Sequence, residues 1–179
     1  MADNADLKKL LRKRYLSDRI TGRVLSDSPF IGFSSFDVLL SYIPLPGEVD
    51  VTPVMDKALA MGKTVAVPSM DYSVFSIISP SWRDSLVKLG NGTMGLGGNF
   101  PTLDVKTLST LKTLVLLPAL ACTSDGWRLG RGGGFYDRLM SVISSFDSVT
   151  SICVCQKEHV MDSFPAEEHD IKTDKVILV

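Results

Sequence analysis

Leu114-Val115-Leu116-Leu117-Pro118 and, further along, Arg128-Leu129-Gly130-Arg131-Gly132-Gly133-Gly134-Phe135-Tyr136-Asp137 decide how this chain folds. The first stretch is a short unbroken apolar run closed by proline, the pattern of a strand buried on both faces of a parallel sheet. After the second, Tyr136, Leu139, Met140 and Ile143 recur at i, i+3, i+4 and i+7, which is one apolar face of a helix. Strand, loop and helix follow in order, so the loop lies at the carboxyl end of a strand, where open α/β sheets bind ligands. Its four glycines let backbone N–H groups converge on an oxyanion. The helix start points unsatisfied donors at the same place, and Arg128 and Arg131 add charge-assisted forks. A glycine-rich loop alone reads equally well as a flexible turn; the arginines and the helix start favour phosphate. The Gly-Lys-Ser/Thr ending of a Walker loop is absent, and the spacing does not fit a dinucleotide fingerprint.

Working outward, strand and helix signals alternate. Leu7, Leu10, Leu11 and Tyr15 trace an apolar stripe on a first helix, with Lys8 and Arg12 four apart on its cationic side. Residues 38–43 read as a strand, followed by the turn Pro44-Leu45-Pro46-Gly47. Thr52 and Pro53 suit an N-cap and first helical residue, opening a helix that stops at Gly62. Strands are expected at residues 64–67 and 74–78. Residues 90–101 carry no period and read as a loop. A short helix over 104–111 and strands at 151–155 and 175–178 complete the pattern, with no internal repeat or interdomain linker. The order predicts a single-domain α/β sandwich with a largely parallel central sheet flanked by helices.

The chain has 179 residues, 45% of them hydrophobic, enough for a substantial core in one domain. A net charge of −1 gives no reason to expect a nucleic acid or an anionic membrane as partner. The amino-terminal stretch is polar and acidic, unlike a secretory leader, and no apolar run approaches the roughly 20 residues of a membrane span. Cys122, Cys153 and Cys155 form neither a disulfide nor a zinc pattern and read as reduced cytosolic thiols. Cys153 and Cys155 share one side of a strand, a weak invitation to a metal; the better reading is small apolar residues in a buried strand. His169 reads as a capping or turn residue.

The run LLPALACTSDGWRLGRGGGFYD, Leu116 to Asp137, closely resembles the signature of the 5-formyltetrahydrofolate cyclo-ligase (methenyltetrahydrofolate synthetase) family. The segments KKLLRKR, YIPLPGEVDVTP, KTVAVP and FPAEEHDIKTDKV stand in the family's order, so the resemblance covers nearly the whole chain. It implies a cytoplasmic enzyme, monomeric, that uses ATP and Mg²⁺ to convert 5-formyltetrahydrofolate to 5,10-methenyltetrahydrofolate, releasing ADP and phosphate. The formyl oxygen would be phosphorylated, N10 would attack the activated carbon, and phosphate would leave. Phosphorylation turns a poor leaving group into a good one, and the transfer needs its charge neutralised and its atoms held in line.

By that resemblance the ATP phosphates fall to Lys8, Arg12, Arg128, Gly130, Arg131, Gly132, Gly133, Gly134, Phe135 and Tyr136, with Arg128 and Arg131 catalytic. Without the resemblance, Lys8 and Arg12 would read as a solvated basic face. Asp137 and Asp174 are the implied Mg²⁺ ligands, the former otherwise a helix-dipole acid. Glu48 matches a pterin-contacting glutamate, and Ile43, Arg131 and Phe135 complete the substrate set. Phe135 stands where relatives usually have Tyr. Many relatives carry Gly-hydrophobic-hydrophobic-Glu-Pro where Met94-Gly95-Leu96-Gly97-Gly98-Asn99 aligns here, so that wall of the pocket departs from the pattern. Trp82 reads as either an aromatic cover or a packing residue, and Trp127 as either a cover or a flank of the loop. A non-catalytic folate- or nucleotide-binding member of the same fold is the alternative. An RNA-binding reading of the Arg-Gly run fails on the absence of basic excess.

Overall fold

Val38-Leu39-Leu40 and Thr113–Pro118 are apolar at nearly every successive position, so neither can show a face to water. In the computed structural model, which describes residues 3–18, 22–69, 74–88 and 94–179, both are wholly buried and pair in parallel. The elements in chain order are α1 (Asn4–Ser17), β1 (Val38–Leu40), α2 (Thr52–Ala60), β2 (Thr64–Pro68), β3 (Phe75–Ile78), β4 (Leu86–Lys88), β5 (Met94–Leu96) and β6 (Thr102–Leu103). They continue with β7 (Thr113–Pro118), β8 (Ala121–Cys122), β9 (Arg128–Leu129), α3 (Phe135–Ile143), β10 (Val149–Cys155) and β11 (Lys175–Leu178). The main sheet has seven strands in the order β11-β10-β7-β1-β2-β3-β6. It is parallel from β11 to β2, and antiparallel where β3 joins β2 and β6 joins β3.

Residue parity sorts the core into two layers. Leu39, Val65, Val67, Leu114, Leu116, Ile152 and Val154 pack with Val54, Met55 and Ala58 of α2. Val38, Leu40, Ala66, Val115 and Leu117 pack with Leu139, Met140 and Ile143 of α3. One helix therefore covers each face, which is why the central strands read as continuous apolar runs. The expected α/β architecture with a largely parallel sheet is what the chain adopts.

Local expectations needed correction where short polar contacts decide. β1 stops at Leu40; the Ser41 N–H still donates to Ala66 O of β2 at 2.9 Å, and Tyr42 and Ile43 lie beyond the strand. Thr52 is the first residue of α2 rather than its cap; the Asp50 carboxylate accepts its N–H at 2.8 Å. Gly62 does close that helix, at φ 73°. Of the stretch expected to be an unstructured loop, residues 90–93 lie outside the described residues. Met94–Leu96 is a strand paired antiparallel to β4, and Thr102–Leu103 joins the main sheet. The link from β7 to the glycine loop is not a bare loop either: β8 and β9 form a small hairpin, and Arg128 lies on it.

Candidate active site

The parallel strands deliver chain to one edge. Tyr42 and Ile43 follow β1, Pro68 and Ser69 end β2, and Pro118 ends β7, and all five line one cleft of about 400 Å³. The remaining wall is Leu45 and Glu48 from the turn after β1, Met94 and Gly95 of β5, Leu120, Arg128, and the run from Gly130 to Arg138. The cleft thus opens at the carboxyl edge of the sheet, and its volume lies within the range of small-molecule sites.

Three features give it chemical character. The first is the glycine loop. Gly132 and Gly134 hold φ at 95° and 68°, and the residue at the start of α3 is Gly134, which has no side chain to cap the helix. A Cβ on Gly132 would stand 3.4 Å from Arg12 Nε, and one on Gly134 only 2.6 Å from Arg138 Nη1. Glycine at these positions therefore lets two guanidinium groups close against the loop, Arg12 donating to Gly130 O at 3.0 Å.

The second feature is a buried ion pair. Arg128 Nη2 donates to Asp137 Oδ1 at 2.5 Å, with the Arg128 side chain 3% exposed and that of Asp137 33%. The guanidinium also lies 5.5 Å from the Tyr136 ring. Arg128 is thus a strand residue locked beneath the loop, not a free fork upon it.

Glu48 and Arg131 form the third. Arg131 Nε donates to Glu48 Oε1 at 2.9 Å and Nη2 to Pro46 O at 2.6 Å. The Glu48 carboxylate also accepts the Leu45 N–H at 3.0 Å. Burial is the largest influence on Glu48 and holds its carboxyl above the ordinary glutamate value, although Leu45 and Arg131 pull it down. Its turn is pinned by Tyr42, whose hydroxyl donates to Val49 O at 2.9 Å, and by Gln156, whose Nε2 donates to Gly47 O at 2.7 Å.

Of the residues assigned to nucleotide, folate or metal in the sequence, all line this cleft except Lys8, Arg12 and Asp174. Arg12 still reaches the glycine loop, as above. Lys8 is buried, and its ammonium is held by Glu167 and Asp170, at 2.5 Å from each. Asp174 Oδ2 accepts from the N–H and hydroxyl of Ser151, both at 2.7 Å. Among the described residues no group of three or more His, Cys, Asp or Glu is arranged to hold a metal ion, and Cys122 packs with Cys153 and Cys155 as part of the core. Trp82 is a core residue, and Trp127 stacks on Phe164 away from the cleft.

Sequence reading missed Arg138 and Gln156, whereas Met94 and Gly95, in the segment read as a pocket wall, do line the cleft. Arg138 follows directly on Asp137 in the first helical turn, so its side chain was within reach of the loop by spacing alone. Gln156 had no signal. Gly97, in the departing segment, is explained by packing: a Cβ there would meet Val87 Cγ1 at 2.6 Å.

Residues 13–179 match the model of the 5-formyltetrahydrofolate cyclo-ligase family. The chain belongs to that family. Among curated 5-formyltetrahydrofolate cyclo-ligases, that of Mycolicibacterium smegmatis is 30% identical over 145 residues, covering 76% of this chain and 71% of the relative. The Escherichia coli K12 enzyme is 26% identical over 171 residues, covering 93% and 89%. Among solved structures, the 5,10-methenyltetrahydrofolate synthetase of Aquifex aeolicus superposes with a TM-score of 0.70 at 25% identity, covering 96% of this chain and 89% of that one. The synthetase of Mycoplasma pneumoniae shares the fold, with a TM-score of 0.62 at 17% identity. As a cyclo-ligase family member the chain is an enzyme of folate chemistry, and among the described residues no helix is long and apolar enough to cross a membrane.

Proposed function

We propose that this cyclo-ligase family member converts 5-formyltetrahydrofolate to 5,10-methenyltetrahydrofolate at the expense of ATP, with Mg²⁺. The observation that carries the reading is the meeting, in one cleft, of a glycine loop pressed by guanidinium groups and a buried carboxylate 83 residues away in sequence. The two halves suit the two substrates. A triphosphate needs converging amides and cations, which the loop, Arg12, Arg131 and Arg138 supply. An aminopyrimidine edge needs a fixed acceptor pair, which Glu48 supplies from its pinned turn, with Ile43 and Phe135 as apolar walls. Lys8 would act on the nucleotide only by exchanging one of its two carboxylate partners.

The donor set fits a Mg²⁺ ion carried in by phosphates rather than a protein cage. Asp137 stands at the start of the helix that follows the glycine loop, and Mg²⁺ commonly takes one or two carboxylates with phosphate and water oxygens. Bound there, the ion would neutralise charge on the phosphates. Asp174, held by Ser151, would have to leave that contact to serve as a second ligand.

In the reaction, the loop amides and Arg131 hold the γ-phosphoryl group against the formyl oxygen and stabilise the charge spread during transfer. Glu48 fixes the pterin so that N10 faces the activated carbon, with Ile43 and Phe135 as apolar walls beside it. We place the enzyme in the cytoplasm, a reading supported by three buried free cysteines, and take it to act as a monomer. Mixing the folded protein with Mg-ATP and 5-formyltetrahydrofolate should give the methenyl product, read by its absorbance, only when nucleotide and divalent cation are both present. Folate and nucleotide binding without product would favour the non-catalytic alternative.

A further inference from the structure

Arg131 lies between Gly130 and Gly132, in the loop assigned to the phosphates, yet its guanidinium is turned to the opposite wall and bonded to Glu48 Oε1 and Pro46 O. The two partners are not equally free. Glu48 is 6% exposed and held by Leu45 N–H, on a turn tied by Tyr42 and Gln156. Arg131 is 32% exposed on a loop whose next residue, Gly132, has φ 95°. Glu48 is the fixed half and Arg131 the movable one.

We propose that Glu48 is a positioning residue for Arg131, and that folate, by taking over Glu48 Oε1, releases Arg131 to the phosphates of the nucleotide. The proposal rests on the assignment of Glu48 to the pterin and of the glycine loop to ATP. Its energetic basis is that one ion pair opposes both ligands. A nucleotide that draws Arg131 to itself strips a donor from a buried carboxylate, which is costly. A pterin that claims Oε1 must first push the guanidinium away. Once either ligand has bound, the pair is already broken, and the second ligand meets no such cost. Each must therefore tighten the other by the same factor. Because Arg131 is a third exposed, water and salt soften the pair, and the factor belongs at the low end of typical couplings, about 5- to 10-fold. The arrangement also keeps the loop short of one cation until folate is present, which restrains ATP hydrolysis in its absence.

Calorimetry with an ATP analogue whose β,γ bridge is methylene, with Mg²⁺ and with or without saturating 5-formyltetrahydrofolate, reads the coupling without turnover. Wild type should bind the analogue about 5- to 10-fold more tightly with folate present. Glu48→Gln keeps the side-chain shape but removes the charge that retains Arg131. It should bind the analogue without folate as tightly as wild type does with it, and gain nothing further from folate. Arg131→Ala should show no coupling at all. Binding of both ligands to wild type with no mutual effect would overturn the proposal while leaving the assigned activity standing, as would unchanged analogue affinity in folded Glu48→Gln or coupling that survives in Arg131→Ala. If wild type binds neither ligand, the functional assignment fails and takes the proposal with it.

Discussion

Replacing Asp137 with Ala isolates the buried pair beneath the glycine loop. The Arg128 side chain is 3% exposed, and Asp137 is its carboxylate partner, at 2.5 Å. Removing one member of a fully buried pair costs about 3–5 kcal/mol, because a desolvated charge is left without compensation. Asp137 is one-third exposed, so water can reach the vacated side, and a loss of about 2 kcal/mol is the appropriate scale here. For a chain of this size that lowers Tm by about 4–8 °C. Circular dichroism melts of Asp137→Ala should show it, and Arg128→Met added to that variant should restore at least half of the loss, since an unbranched apolar chain then replaces the stranded charge. Asp137→Asn keeps an oxygen acceptor for Arg128 and should melt closer to wild type. It should still lose Mg²⁺-dependent turnover if Asp137 also meets the cation. A melt of Asp137→Ala within 1 °C of wild type, or a double variant weaker than either single one, would refute the view that burial of Arg128 makes the pair structural.

Arg131→Ala should lower turnover by on the order of 10²-fold or more, because it removes a fork directed at charge that grows in the transfer, and it should also lower Tm, because the buried Glu48 carboxylate loses its charged donor; unchanged steady-state turnover would take Arg131 out of the phosphate path. Glu48 sets a pH dependence of stability. Its folded value lies above the ordinary 4.5, so the native state holds this proton more tightly than the unfolded chain, and its contribution is full below 4.5 and is lost as pH rises through the folded value. Glu48→Gln lacks that loss, so melts across pH should show the variant gaining on wild type from about 4.5 upward; parallel curves would show that the carboxylate is not desolvated.

What could be read in advance was whatever repeats or clusters along the chain. β7 and α3 announced themselves through unbroken and 3.6-residue apolar patterns, and the glycine run marked the junction that became the cleft wall. Arg128 was misplaced because β8 and β9 have only two residues each, too few for any period. The dipeptide Asp125-Gly126 was a hairpin signal between them, and Gly126 does take φ 104° at that turn. β5 was hidden for a related reason, its three residues lying in a stretch dominated by glycine. The partners of Lys8 and Glu48 could not have been foreseen from spacing, since Glu167 and Arg131 stand 159 and 83 residues away. Tertiary pairing converted an apparent surface cation into a buried one.

That long closure bears on how the protein is made. On the ribosome, α1 emerges well before its partners: the carboxylates that receive Lys8 and the carbonyl of Ala166 that receives Asn4 belong to a segment translated some 160 residues later. β10 must likewise appear before β7 gains its second parallel neighbour. Leu7 and Leu10 stay exposed in the folded chain, but until then Leu11 and Tyr15 of the first helix lack Met161 and Phe164 and one edge of β7 has no native partner, and such surfaces are where nascent chains stick to one another. Slow synthesis therefore gives this enzyme little head start. The cleft wall that has Arg12 seated on Gly130 can be completed only in a late step that joins α1 to a loop translated 118 residues later.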